Sequence, residues 1–179
     1  SSRVEDTSAQ GDYGFTLSAV QASTQPLVLG QTIEGALTTP GQRVLYTFNL
    51  PQPTRLALDS LTNTDVHVTL KGPAGIVKPR TSLASLDWNS SPPFVDGPAG
   101  AYELIVDANG PTTAAYRLRV LDTANATSLT LGTELSAVFA PASSTVVAAF
   151  NAVTGNRLYF DVRDRTGFAN APWGVLVAP

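Results

Sequence analysis

Apolar and polar residues alternate with a period of two through the middle of the chain. Val44, Tyr46, Phe48 and Leu50 are separated by Leu45, Thr47 and Asn49, a pattern typical of a strand with one buried face. No window of 11 or more residues has a clean helical period. The same parity returns in four further stretches, whose apolar members are Leu56 and Leu58; Val66, Val68 and Leu70; Tyr102, Leu104 and Val106; and Tyr116, Leu118 and Val120.

The opposite faces of these predicted strands carry charged or polar side chains, which we expect to face solvent. Turn formers separate the strands, for example Pro40-Gly41 and residues 72–75, and they supply a positive φ or a φ fixed near −65°. Together these features predict an all-β fold, an antiparallel β-sandwich with jelly-roll or Greek-key connections. The residues expected on the outer faces are Arg55 and Asp59, His67 and Lys71, Glu103 and Asp107, and Arg117 and Arg119.

A stretch of the sequence repeats itself at a fixed distance. The segment Leu29–Leu37 returns as Leu131–Phe139, 102 residues later. An ungapped match that continues over about thirty positions predicts tandem units of one fold. The same offset relates Phe48 to Phe150, Arg55 to Arg157, Leu58 to Phe160 and Asp59 to Asp161, and an offset of 103 relates Tyr13, Phe15 and Leu17 to Tyr116, Leu118 and Val120.

The repeat predicts one complete and two partial units. Residues 1–25 are interpreted as the last strands of a preceding unit, 26–122 as a complete sandwich, and 123–179 as the first half of a following unit. An incomplete sandwich leaves an open strand edge. We therefore expect residues 10–20, from a neighbouring molecule or from the same one, to add a strand to the C-terminal half, which predicts a homo-oligomer formed by strand addition.

Composition excludes several classes of function. The 179 residues carry a net charge of −3, and the basic residues form no cluster that could neutralise phosphates, so nucleic acid is not an expected partner. With no Cys and a single His, thiolate zinc sites and multi-histidine metal sites are not expected. No apolar run reaches the roughly 20 residues that cross a bilayer. The chain also lacks Met, and we expect it to be an internal piece of a longer protein.

Several motifs, in order, resemble the bacterial pre-peptidase C-terminal domain. They lie at residues 29–37, 40–48, 59–62, 70–75, 98–106 and 109–118. The resemblance implies a jelly-roll-like sandwich from a secreted or surface protein, trailing a protease or arrayed in tandem in large adhesin-like chains. Collagen-binding modules of clostridial collagenases are similar and hold calcium with acidic residues before the first strand, whereas residues 22–26 and 124–127 contain no carboxylate.

Two sets of residues are candidates for ligand binding. Asp59 and its mate Asp161 occupy a recurring position and are candidate calcium ligands, because calcium prefers carboxylate oxygens; an ordinary role on the solvent face is the alternative. Asp87, Trp88 and Asn89 lie in the long irregular stretch 81–95. An exposed aromatic beside polar groups is typical of a sugar or peptide platform, but the favoured interpretation is that Trp88 and Phe94 fold back and close the end of the sandwich.

The sequence indicates no catalytic constellation. His67 lies between Val66 and Val68, which predicts a plain surface histidine, and no nucleophile is placed beside a base. The predicted function is a non-catalytic structural or spacer repeat of a large secreted or surface-anchored, adhesin-like bacterial protein, with neighbouring repeats as partners. The alternatives are a module that binds a glycan or an extracellular matrix protein, and an accessory domain of a secreted protease. No cofactor is expected, apart from the calcium ion for which Asp59 and Asp161 are candidate ligands.

Overall fold

Two β-sheets packed face to face form the body of the molecule, as the alternating pattern predicts. The computed structural model describes residues 12, 14–15, 17, 19–20, 22–87, 93–111, 113–163, 166–167 and 174–177. The sequence candidates Trp88 and Asn89 lie outside the described residues, as does Tyr13. In the part of the chain that is described, no helix is long and apolar enough to cross a membrane.

One sheet has five strands and the other has four. The five-stranded sheet has the order β1-β3-β8-β5-β6, and the four-stranded sheet has the order β2-β9-β4-β7. The strands are β1 (Ala22–Pro26), β2 (Ile33–Leu37), β3 (Arg43–Leu50), β4 (Thr54–Ser60), β5 (Val66–Gly72), β6 (Gly75–Ser82), β7 (Phe94–Gly97), β8 (Gly100–Ala108) and β9 (Ala114–Asp122), followed by two short strands, β10 (Thr127–Ser128) and β11 (Ala148–Ala149).

The strand pairing is antiparallel except at two places in the described chain. β1 pairs with β3 in parallel, and β10 pairs with β11 in parallel. The sequence pattern predicted antiparallel pairing throughout and indicated neither of these parallel pairs. β1 begins at Ala22, ahead of the unit boundary predicted at residue 26. The sequence does not predict this strand, because Ala22–Pro26 is polar and exposed and shows no alternation.

The core lies between the sheets and contains the apolar residues that the period of two selects, with Phe48 only partly buried, together with residues outside that pattern such as Leu27, Leu83 and Leu86. Leu56 and Leu58 from β4 face Leu104 and Val106 from β8, and all four are fully buried. A hydrogen bond of 2.8 Å joins the Tyr46 hydroxyl on β3 to that of Tyr116 on β9 and links the two sheets through the core. Burial, with this hydrogen bond, raises the pKa of Tyr116.

Gly35 is required for the close approach of Tyr116. These residues are directly opposite on β2 and β9, and a Cβ atom at Gly35 would overlap the Tyr116 hydroxyl and ring. A side chain at position 35 would therefore displace the tyrosine that connects the sheets. The corresponding residue 102 positions later is Ala137.

Beyond β9 the chain contains little regular structure in its described part. Large apolar side chains in this region are exposed, including Val138 at 88%, Tyr159 at 89% and Phe160 at 81%. At the other end of the chain Phe15 is 79% exposed and Leu17 is 92% exposed. Association through a strand added by residues 10–20 stays a prediction, as does the division into units at residues 26 and 123.

Candidate functional site

Asp59 is the most completely enclosed charged residue that the sequence singled out. It lies near the end of β4, directly opposite Arg119 on β9, and it is 0% exposed. The expectation that it faces solvent is wrong. Asp59 does point away from the core, as its parity requires, but the segment Pro141–Thr145 covers it; within that segment Ser144 is only 8% exposed.

Three N–H groups donate hydrogen bonds to the Asp59 carboxylate. Nε of Arg119 lies 2.7 Å from Oδ2, and Nη2 of Arg119 donates to the same oxygen. The backbone N–H of Thr145 donates to Oδ1 at 2.8 Å. Because a buried carboxylate is stable only when its charge is compensated and its oxygens are hydrogen-bonded, the guanidinium and the Thr145 amide together account for this burial.

The same contacts bear on the predicted calcium site. A cation at Asp59 would have to displace the Arg119 guanidinium, since both groups need the same oxygen. Asp161, the other candidate, is partly exposed and pairs with Arg163 at 3.2 Å. Among the described residues no group of three or more acidic or histidine side chains is arranged to hold a metal ion. Calcium binding at Asp59 and Asp161 stays a prediction without a converging set of ligands.

Asp87 supports the end of β4. A short 3₁₀ helix, Leu83–Ser85, precedes it, and the Ser82 hydroxyl caps this helix by accepting from the N–H of Ala84. Buried Leu83 and Leu86 hold the segment against the core, which turns the Asp87 carboxylate inward. Its Oδ2 accepts from the backbone N–H of Ser60 at 3.0 Å.

The environment of Asp87 favours its neutral form. Burial raises the pKa of its carboxyl group, and the negative charge of nearby Asp59 raises it further, against the opposing effect of the hydrogen bond from Ser60. Asp87 therefore has a structural partner within its own unit. Its neighbours in the predicted binding platform, Trp88 and Asn89, lie outside the described residues, so the platform itself stays a prediction.

His67 points away from the core, as its parity predicts, but is less accessible than a plain surface histidine. Its side chain is 14% exposed, and its Nδ1 lies 3.8 Å from Oδ1 of Asp65. On the adjacent strand β8 its neighbour is Asp107, which forms an ion pair with Arg80. In the described structure Nδ1 of His67 is buried and has no hydrogen-bond partner. The low exposure of the His67 side chain follows from the position of β5 between β8 and β6 in the sheet.

A shallow cleft lies near the other end of β4. It has a volume of about 560 Å³, and its lining includes Arg55, Asp96 and Thr123. Nε of Arg55 lies 2.6 Å from Oδ1 of Asp96, and this exposed ion pair lowers the pKa of the Asp96 carboxyl group. The Thr123 hydroxyl donates to the backbone oxygen of Arg55 at 2.9 Å, so the residues that follow β9 are anchored to the same edge.

Sequence reasoning missed the two partners of Asp59. Arg119 was assigned only to a solvent-exposed face, and Thr145 was not singled out. The cross-strand register that sets Arg119 opposite Asp59 depends on bulges and turns and is not readable from the sequence alone. The contact with Thr145 joins residues 86 positions apart, for which no local signal exists.

Backbone hydrogen bonds recur at the 102-residue spacing found in the sequence. The N–H of Leu27 donates to the oxygen of Thr47 at 2.8 Å, and that of Leu129 donates to Ala149 at 2.8 Å. Two turns recur in the same way. The hydrogen bond from the Gln31 N–H to the Val28 oxygen corresponds to that from Thr133 to Thr130, and the bond from the Gln42 N–H to the Thr39 oxygen corresponds to that from Ser144 to Pro141. Gly30 and Gly132 have φ values of 83° and 85°, and the register of β10 with β11 equals that of the last two pairs of β1 with β3.

No family model matches the chain, and no curated protein matches it. Among solved structures, PliG of Aeromonas hydrophila, a periplasmic inhibitor of g-type lysozyme, is similar over 58% of this chain and 99% of its own, with 12% identity and a TM-score of 0.42. PliG of Salmonella Typhimurium is similar over 56% and 98%, with 16% identity and a TM-score of 0.41. The pre-peptidase C-terminal domain of Bacillus anthracis collagenase is similar over 59% and 99%, with 16% identity and a TM-score of 0.38.

Those likenesses are too distant to carry an argument about function. The collagenase domain does bear the family name that the sequence motifs suggested.

Proposed function

We propose that the chain is a non-catalytic structural segment of a larger secreted or surface-anchored bacterial protein, in which sandwiches related to the pre-peptidase C-terminal domain follow one another every 102 residues. The observation that carries the proposal is the recurrence of hydrogen bonds at that spacing, such as Leu27 to Thr47 and Leu129 to Ala149. A sequence that repeats and forms the same local contacts twice favours a modular array, in which each unit contacts its neighbours.

The pairing of charged groups supports a role without catalysis. Asp59 pairs with Arg119, Asp107 with Arg80 and Glu34 with Arg117. General acid–base catalysis needs a titratable group that can reach a bound substrate, and each of these carboxylates is instead held by a neighbouring guanidinium. The single histidine lies against Asp65, and the hydroxyl of Ser82, its cross-strand neighbour on β6, is already engaged with the Thr64 carbonyl oxygen and the Ala84 N–H.

Stretching a single molecule tests the structural role. The 179-residue chain would be placed between two marker domains and extended by force microscopy. We expect one cooperative unfolding event for the sandwich, with a contour-length gain of about 30–35 nm for roughly one hundred residues at about 3.5 Å each. Extension without a force peak would contradict a load-bearing role.

Binding assays test the alternative role as a ligand-binding module. The chain would be applied to immobilised glycans, collagen and other matrix proteins, with Trp88→Ala as the diagnostic variant and Trp173→Ala as its matched control. The structural proposal predicts no saturable binding. Saturable binding that Trp88→Ala abolishes and Trp173→Ala preserves would replace the proposal with the binding module. A parent chain with a peptidase upstream would instead favour the accessory-domain alternative.

A further inference from the structure

We propose that the Asp59–Arg119 pair is the docking site for the following unit and that it fixes the orientation of consecutive units. This inference rests on the proposed function, since it gives the array its joint. The occupant is the segment Pro141–Thr145 of the same chain, which carries the Asp59 contact with Thr145. The pair belongs to the outer face of the four-stranded sheet, which in an isolated sandwich would face solvent.

The burial of the outer face of β4 indicates that docking is a built feature. An outer-face position normally remains accessible to water, yet Asp59 and Ala57 are both 0% exposed. Burying a carboxylate removes its hydration, and this is favourable only when the covering segment returns hydrogen bonds. The Thr145 N–H supplies one of these, and Nη2 of Arg119 approaches the Thr145 carbonyl oxygen at 3.5 Å.

The joint is held at two points, which prevents free rotation about the connection. The first point is the connection itself, where the Thr123 hydroxyl binds the Arg55 carbonyl oxygen and Asp122 caps the short 3₁₀ helix Thr123–Asn125. The second point is the Asp59 contact. A connection fixed only at the first point could swing, whereas a second contact at Thr145 defines a single orientation of the downstream segment.

Recognition of the downstream unit uses main-chain atoms. Both contacts to Thr145 involve its backbone N–H and carbonyl groups, and the preceding turn is closed by the N–H of Ser144 donating to Pro141. The same turn occurs in the complete unit, where the N–H of Gln42 donates to the Thr39 oxygen. The joint therefore selects a turn geometry more than a side chain, and any following unit with this turn can dock.

Amide hydrogen exchange of the intact chain tests the contact directly. We expect Asp59→Ala to speed exchange of the Thr145 amide by about 10- to 100-fold, as for the loss of a hydrogen bond to a charged group. Asp96→Ala is the matched control, because it removes another cross-strand Asp–Arg pair of the same sheet and should leave Thr145 unchanged. Equal Thr145 exchange in wild type and Asp59→Ala would overturn the proposal.

Distance measurements test the fixed orientation. The natural chain has no Cys, so spin labels on Gln52→Cys and Asn151→Cys, both exposed positions, would be the only ones present. We expect one narrow distance distribution, unchanged by Thr145→Ala and broadened by Asp59→Ala. Thr145→Pro removes the donor but keeps the Asp59–Arg119 pair, and it must also broaden the distribution even if Asp59→Ala fails to fold. A distribution that stays narrow in Thr145→Pro would refute the joint.

The same exchange data separate this proposal from the repeat on which it rests. If the downstream segment does not form the same turns and contacts as the complete unit, the Leu129 and Ser144 amides will exchange freely in wild type. If only the docking is wrong, those amides will be protected, but Thr145 will not respond to Asp59→Ala.

Discussion

The complete sandwich and the segment after β9 contain matching sequences in very different environments. Leu58 on β4 is 0% exposed, whereas its mate Phe160 is 81% exposed. Both regions form the same turns and the same parallel contact, which join residues at most about twenty positions apart. They differ in the strand pairs that join residues far apart in the sequence.

Long-range partners account for this difference. In the sandwich, β3 pairs with β8 and β4 pairs with β9, so every core strand of the first half depends on one from the second half. Among the described residues after β9, no strand corresponds to β8 or β9. Short-range turns can form without those partners, but burial of an apolar face cannot, because only the facing sheet removes it from water.

Truncation of matched apolar residues should show the largest contrast. Leu58→Ala removes a fully buried side chain and should lower the free energy of unfolding by about 2–5 kcal/mol. Phe160→Ala, at the exposed mate, should change it by no more than about 0.5 kcal/mol. Urea denaturation of both variants measures the contrast, and equal losses would show that the downstream segment is packed as tightly as the sandwich.

Substitutions at the matched positions 35 and 137 should have the next largest effect on the free energy of unfolding. Gly35→Ala pushes a methyl group into Tyr116, and overpacking of this kind should cost about 1–3 kcal/mol of stability. The reverse change at its mate, Ala137→Gly, should cost less than about 1 kcal/mol, since it affects mainly the freedom of the unfolded chain. Thermal or urea unfolding distinguishes them, and a harmless Gly35→Ala would contradict the close approach of Tyr116.

Loss of the hydrogen bond between the sheets should have a smaller effect. Tyr46→Phe leaves the Tyr116 hydroxyl buried without its partner and should cost about 1–2 kcal/mol. The double variant Tyr46→Phe, Tyr116→Phe should be more stable than expected from the sum of the single changes, because it leaves no unpaired hydroxyl. Strict additivity in the double-mutant cycle would mean that the hydroxyl groups do not interact.

The smallest predicted effect concerns pH and Asp87. Because burial raises the pKa of this carboxyl group, its stabilising influence is greatest below its unfolded pKa of about 3.9 and falls as the pH rises through the higher folded value. Asp87→Asn keeps an acceptor for the Ser60 N–H and should gain stability relative to wild type as the pH rises from 4 to 7. Unfolding titrations at both pH values measure this, and a gain toward low pH would show the opposite sign.

The sequence predicted the parts of the fold that depend on local pattern. The apolar members of β5 and β8, and those of β3 apart from the partly buried Phe48, are buried at the positions that their parity indicates, because a period of two is a direct property of a strand. β1 was missed since Ala22–Pro26 is polar and exposed and is a strand only through its pairing with β3. A strand specified by its partner leaves little trace in its own residues.

The candidate site was predictable only in part. The recurrence of Asp59 and Asp161 did direct attention to a residue whose carboxylate accepts three hydrogen bonds. Its partners and its burial were not predicted, because Arg119 and Thr145 come from positions 60 and 86 residues away, and the covering segment changes an outer face into a buried one. Burial of this kind is set by how units pack, which the alternation within one strand cannot express.

Paired hydrogen exchange tests the central claim most directly. The Leu27, Gln31 and Gln42 amides have counterparts 102 residues later. We expect Leu129, Thr133 and Ser144 to be protected from exchange in the same way, because each pair donates to corresponding carbonyl oxygens. If Leu129, Thr133 and Ser144 exchange at the rate of an unfolded chain while Leu27, Gln31 and Gln42 are protected, then the downstream segment does not repeat the complete unit, and the proposed modular array is contradicted.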